Sequence, residues 1–136
     1  PGEDNNDFNQ TLNLIQKIKF INSYSFIFSP RPGTVASKLK LVDKDLSAKR
    51  LSLIQEELFK NQNNMNKSIE NKIIDVLVEN QTKDKLSLFG RSEHMTSVIF
   101  DGNKNNIGKT IKVKINKSNR NSLFGTAIEN LGKKVA

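Results

Sequence analysis

Beyond about Glu70 the chain stops repeating at helical spacing and breaks into five short apolar stretches separated by turns rich in Gly and Asn. The stretches are Lys72–Val78, Ser87–Arg91, Ser97–Phe100, Thr110–Ile115 and Leu123–Ile128. Strands so short, in such quick succession, read as a small antiparallel barrel. Ile111-Lys112-Val113-Lys114-Ile115 shows the pattern most sharply: alternation at period two buries the three aliphatics and puts Lys112 and Lys114 on one outer face. Lys109, Lys117 and Arg120 extend that cationic region.

The first half follows a different grammar. Asp4 with Asp7 three residues later marks a helix start, and Phe8, Leu12, Ile15 and Lys19 recur at helical spacing. Tyr24, Phe26 and Phe28 then alternate as a strand would, so helix followed by strand suggests an α/β unit. Two prolines and a glycine in Ser29-Pro30-Arg31-Pro32-Gly33-Thr34 impose a rigid loop. A second helix begins near Asp43 and runs into the Asn-rich stretch around Gln62, with Leu51, Ile54, Leu58 and Met65 as its apolar stripe. The expected organisation is therefore an α/β region over 1–69 and a β-barrel over 70–136, with no internal repeat at a fixed period.

Charge divides along the same line. Residues 1–70 carry 10 Lys+Arg against 8 Asp+Glu, and residues 71–136 carry 12 against 6. A basic five-stranded barrel suits single-stranded or looped nucleic acid, because strands offer side chains to bases while lysines meet phosphates. The plainer reading of the same lysines is a solvated strand face that deters edge-to-edge aggregation. With no cysteine and one histidine, His94, the 136 residues hold no disulfide, thiolate metal site or multi-histidine site. No apolar run approaches the roughly 20 residues that span a bilayer and no secretory leader is visible, so a cytoplasmic location without membrane attachment is expected.

Several motif-like stretches fail on inspection. Gly102 to Thr110 imitates a phosphate-binding loop but has one residue too many between its glycines and leads into a strand instead of a helix. Asp101-Gly102-Asn103-Lys104-Asn105 starts like a calcium loop, yet Asn106 replaces the turn glycine and Lys112 stands where a bidentate glutamate belongs, so a hairpin turn is expected. Glu93-His94 would place its side chains on opposite faces of a strand, with no nucleophile nearby. No catalytic residue and no metal ligand is assigned.

Four stretches in order carry a resemblance: Pro1-Gly2-Glu3 with the acidic helix start through Phe8; Tyr24-Ser25-Phe26-Ile27-Phe28-Ser29-Pro30-Arg31-Pro32-Gly33-Thr34-Val35-Ala36; Gly90-Arg91-Ser92-Glu93; and Asn121-Ser122-Leu123-Phe124-Gly125. Together they resemble the C-terminal part of the radical-SAM tRNA methylthiotransferases that make 2-methylthio-N6-(dimethylallyl)adenosine. The resemblance implies the end of a partial (β/α) radical-SAM barrel over 1–69, followed over 70–136 by a TRAM domain, a small OB-like RNA-binding barrel. It further implies that Gly2, Glu3 and Arg31 face the S-adenosylmethionine cavity.

On this reading Arg91, Lys109, Lys112, Lys114, Lys117 and Arg120 neutralise phosphates, and Asn121 and Ser122 reach ribose or bases of a tRNA anticodon stem-loop. The family's two 4Fe–4S clusters need cysteines that this chain lacks, so it is expected to be a fragment, inactive alone and monomeric, of an enzyme that transfers a methylthio group to carbon 2 of the modified adenosine. The alternatives are a fragment of a ribosomal-protein methylthiotransferase and a non-catalytic basic RNA-binding module.

Overall fold

Asp4 sets the first element in place. Its carboxylate accepts the Asp7 N–H at 2.9 Å while the Asp7 carboxylate accepts the Asp4 N–H at 3.1 Å, a reciprocal cap that satisfies two otherwise open donors. Helix α1 (Asn5–Ile18) ends where Lys19 turns left-handed at φ 57° and returns its N–H to the Ile15 carbonyl, burying Phe8 and Ile15 on the way. The computed structural model describes residues 1–131, which form two compact units divided between Gln62 and Asn63.

Helix α2 (Lys44–Ile69) starts at Asp43, whose carboxylate accepts the N–H groups of Asp45 and Leu46 at 3.0 Å each. It continues through the Asn-rich stretch to Ile69, although Asn is a weak helix former. Tertiary contacts at its end account for this. Ile69 is buried in the barrel's core cluster with Met65 packed against it, and the buried Asn66 amide donates to the carbonyls of Asn119 and Arg120 at 2.8 and 2.9 Å.

The strand expected at Tyr24–Phe28 does not form. Among the described residues the first unit contains no other strand, so this backbone has no ladder to join. Its aromatic face is open to solvent, with Tyr24 91% and Phe26 82% exposed.

The second unit holds all five expected strands: β1 (Ile73–Gln81), β2 (Leu88–Ser92), β3 (Ser97–Asp101), β4 (Thr110–Ser118) and β5 (Ser122–Ala127). They close into a barrel in the order β1-β2-β3-β5-β4. Strand direction cannot alternate all the way round a ring of five, so one neighbouring pair must run parallel. That pair is β3–β5, and the other four pairings are antiparallel as expected. Val76, Val78, Val98, Val113, Ile115 and Leu123 are fully buried inside, each worth roughly 1.5–3 kcal/mol over an exposed position.

Because β5 lies between β3 and β4, the stretch from Gly102 to Lys109 is a crossover and not the hairpin turn expected from its composition. It makes a single 3₁₀ turn at Lys104–Asn106 and is fastened on leaving, where Gly108 N–H donates to the Val78 carbonyl at 2.8 Å and Val78 N–H to the Lys109 carbonyl at 2.9 Å.

Two hairpins of this barrel are built alike. β1 and β4 share one inward pattern, Val76 and Val78 matching Val113 and Ile115, and each carries a bulge just beyond it at Glu79 and Asn116. Their partners β2 and β5 share Leu-Phe-Gly, residues 88–90 and 123–125. A Cβ on Gly90 would overlap the Leu77 carbonyl, and one on Gly125 would overlap the Lys114 carbonyl, so both bulged crossings need glycine. Asp75 and Lys112 occupy equivalent positions and face each other where β1 pairs with β4. The repeat has no fixed period because the loop of the second hairpin is two residues shorter.

Candidate nucleic-acid interface

The shared frame carries two different surfaces. Residues 73–92, the first hairpin, hold three cations (Lys83, Lys85, Arg91) and three anions (Asp75, Glu79, Asp84). Residues 110–127, the second, hold four cations (Lys112, Lys114, Lys117, Arg120) and no anion. The basic excess of the barrel strands therefore belongs to one hairpin.

Inward Val113 and Ile115 force Lys112 and Lys114 outward, as alternation required. Lys112 Nζ lies 3.2 Å from Asp75 Oδ1 with both side chains well exposed, an ion pair that water screens strongly. Past the bulge at Asn116, Lys117 stands opposite Phe124 of β5. Arg120 and Asn121 lie in the β4–β5 loop, and Ser122 opens β5. That loop is held from within: the Asn119 carboxamide accepts the N–H groups of Asn121 and Ser122 at 2.9 and 2.7 Å, while Asn66 takes its carbonyls. Glu70 anchors the adjoining end of β4, accepting the Ser118 hydroxyl at 2.7 Å and the Ser118 N–H at 2.8 Å. Those two bonds, the hydroxyl first, hold the Glu70 carboxyl below its ordinary range.

Lys112, Lys114, Lys117, Arg120, Asn121 and Ser122 thus come together on one hairpin. Lys109 is exposed just before β4, in the crossover fastened to β1. Arg91 sits elsewhere, on β2. Its guanidinium lies 5.2 Å from the centre of the Phe89 ring, 3.6 Å from Glu79, and donates to the Met95 carbonyl at 3.1 Å. In the second hairpin the equivalent positions hold Asn116 and Thr126, joined by an amide–hydroxyl bond of 3.2 Å.

Glu93 and His94 are in the β2–β3 turn and not on a strand, which brings their side chains within 3.5 Å of each other. Both are exposed, and the described residues contain no group of three or more His, Cys, Asp or Glu suited to a metal.

Residues missed by sequence reasoning lie on the outer face of β2, β3 and β5. Phe89, Ile99 and Phe124 stand in one row, Phe89 opposite Ile99 and Ile99 opposite Phe124, each half-buried. The signal was available in both Leu-Phe-Gly triplets, where an inward Leu turns the following Phe outward.

In the first unit, Glu3 lines a cleft of about 450 Å³ together with Phe8, Phe26, Phe28, Arg50 and Ile54. Arg50 is buried there and binds the Glu3 carboxylate at 2.7 Å, the Glu3 carbonyl at 3.0 Å and the Asn5 side chain at 2.8 Å. Neither Gly2 nor Arg31 lines that cleft. Arg31 is exposed, its carbonyl capping the turn at Thr34.

A family model described as the TRAM domain matches residues 67–128, from the last turn of α2 to the end of β5. The chain carries a TRAM domain. Over its full length it is a relative of proteins named tRNA-2-methylthio-N(6)-dimethylallyladenosine synthase. The protein of that name from Pelagibacter ubique is 64% identical over all 136 residues, that from Ruthia magnifica 43% over 94% of the chain, and that from Clostridium tetani 38% over 94%. The chain spans about 30% of the length of these curated relatives. Among the described residues no helix of this TRAM-bearing chain is long and apolar enough to cross a membrane.

Proposed function

We propose that this chain is the RNA-gripping end of a tRNA methylthiotransferase, with residues 70–136 as the RNA-binding module and 1–69 as the last part of a radical-SAM barrel. The complete enzyme would transfer a methylthio group to carbon 2 of N6-(dimethylallyl)adenosine beside the anticodon, in the cytoplasm and as a monomer. The observation that carries this reading is the charge segregation within the TRAM domain. One of two matching hairpins holds four cations and no anion, which a fold requirement common to both does not explain. Lys114, Lys117 and Arg120 would neutralise phosphates and Asn121 would hydrogen-bond to ribose or base, while Lys112 would exchange Asp75 for phosphate.

S-adenosylmethionine and two 4Fe–4S clusters belong to the complete enzyme on this reading. The residues present do not fit a cluster, since there is no cysteine to ligate iron. For S-adenosylmethionine, Glu3 alone of the three expected residues lines the cleft, and its carboxylate is held by Arg50. No chemical step is assigned to this chain.

The test is a fluorescence-anisotropy titration of the chain with an anticodon stem-loop carrying adenosine 3′ to the anticodon, at several salt concentrations and against an unrelated hairpin. Tighter binding to the anticodon stem-loop with a steep salt slope is expected. Equal weak binding to both would move recognition out of this chain.

A further inference from the structure

The outward row Phe89–Ile99–Phe124 puts apolar side chains on the outer face of three neighbouring strands, and its two aromatic ends differ. At one end the Phe89 ring is covered by the Arg91 guanidinium, which Glu79 and the Met95 carbonyl hold in place. At the other end no cation lies over the Phe124 ring among the described residues. Its neighbours across the sheet are Ile99 on one side and the exposed Lys117 on the other, with Ser122 outward at the start of the same strand. A flat ring, an adjacent ammonium and a nearby hydroxyl are what one unpaired nucleotide requires: a face for the base, a cation for the phosphate and a partner for the 2′-hydroxyl.

We infer that Phe124 is the base-stacking residue of the RNA face, receiving a single unpaired nucleobase whose phosphate meets Lys117. Phe89 is its closed counterpart, already occupied by Arg91. The inference rests on the RNA-binding reading and assigns it a chemical division: apolar stacking at Phe124, charge neutralisation on β4.

The test uses the 136-residue chain and stem-loop RNAs with 2-aminopurine at each loop position in turn, since this base loses fluorescence when stacking changes its surroundings. Binding of the unaltered chain should change the signal at one loop position. Phe124→Leu, which keeps the apolar surface and removes the ring, should abolish that change and weaken binding roughly fivefold or more with an unaltered salt slope. Phe124→Tyr should retain the change. Lys117→Gln should lower the slope by about one while the change persists. Thermal unfolding of each variant reports folding, and the tyrosine variant serves if the leucine variant unfolds.

A Phe124→Leu chain that binds and reports like the parent would overturn the stacking role and leave RNA binding standing. A folded Phe124→Tyr chain without the change would overturn it equally. A parent chain that binds none of the RNAs would remove both readings.

Discussion

The two hairpins of the barrel, β1–β2 and β4–β5, solve the same folding problem with the same parts and then present opposite chemistry outside. Inward valines, a bulge, and a glycine under the neighbouring carbonyl recur in each. Outward, the first pairs Glu79 with Arg91, while the second replaces that pair with neutral Asn116 and Thr126 and has no anion of its own to set against its four cations. What is common to both hairpins is what the barrel needs. What differs between them is available for a partner.

The largest effects should therefore be shared. Gly90→Ala and Gly125→Ala each drive a methyl into a backbone carbonyl, and each should destabilise the barrel by about 1–3 kcal/mol or more in urea unfolding. A barrel that tolerates one and not the other would break the equivalence. Asn66→Ala touches only the second hairpin. It leaves the Asn119 and Arg120 carbonyls without their donor and should cost about 1–3 kcal/mol. Its effect on the β4–β5 loop should exceed its effect on the β1–β2 loop, readable by amide exchange in each loop.

Binding should separate the hairpins where stability does not. Lys112→Gln with Lys114→Gln should reduce the salt slope of RNA binding by about 1–2 units, whereas Lys83→Gln with Lys85→Gln on the first hairpin should leave it near the parent value. Equal reductions would assign the interface to the barrel's net charge and not to one hairpin.

The smallest effect is acid sensitivity. Glu70, which lies before β1, holds the end of β4, and Asp84 holds the β1–β2 loop by accepting the Thr82 hydroxyl and the Leu86 N–H, so each hairpin is anchored by one carboxyl held below its ordinary range. A depressed folded value means stability that is present above the unfolded value and lost as pH falls through the folded one. Glu70→Gln should flatten the fall in melting temperature below about pH 4.5 and Asp84→Asn below about pH 3.8, the measurement being a series of thermal melts from neutral to acid pH. A fall as steep as the parent's in both variants would remove these carboxyls from the acid response.

All five strands were legible in the sequence, because alternation such as Ile111 to Ile115 is a local signal. Their pairing was not. The parallel β3–β5 contact follows from closure of an odd ring, and the Gly102–Lys109 crossover carries the same Gly and Asn residues as a hairpin turn. Local alternation misled at Tyr24–Phe28, since a strand also needs a neighbour. The lysines of the candidate interface were visible as charge, and the Phe89–Ile99–Phe124 row was hidden because its members lie on three strands that only folding brings together. The matching hairpins show no fixed period in the sequence, because a loop two residues shorter between paired positions breaks the spacing between otherwise equivalent strands.

Two strands that both read Leu-Phe-Gly can compete for the same berth while the barrel assembles. Exchanging β2 and β5 would bury the same leucines and seat the same glycines, but it would set Glu79 against Thr126 and Arg91 against Asn116. The Glu79–Arg91 pair, nearly worthless as a surface ion pair, then acts as an address label that keeps each strand with its own partner. Replacing Glu79 by Gln should barely move the melting temperature and should add a slow, misrouted phase to refolding followed by stopped flow. Single-phase refolding at the parent's rate would show that loop connectivity alone sorts the strands.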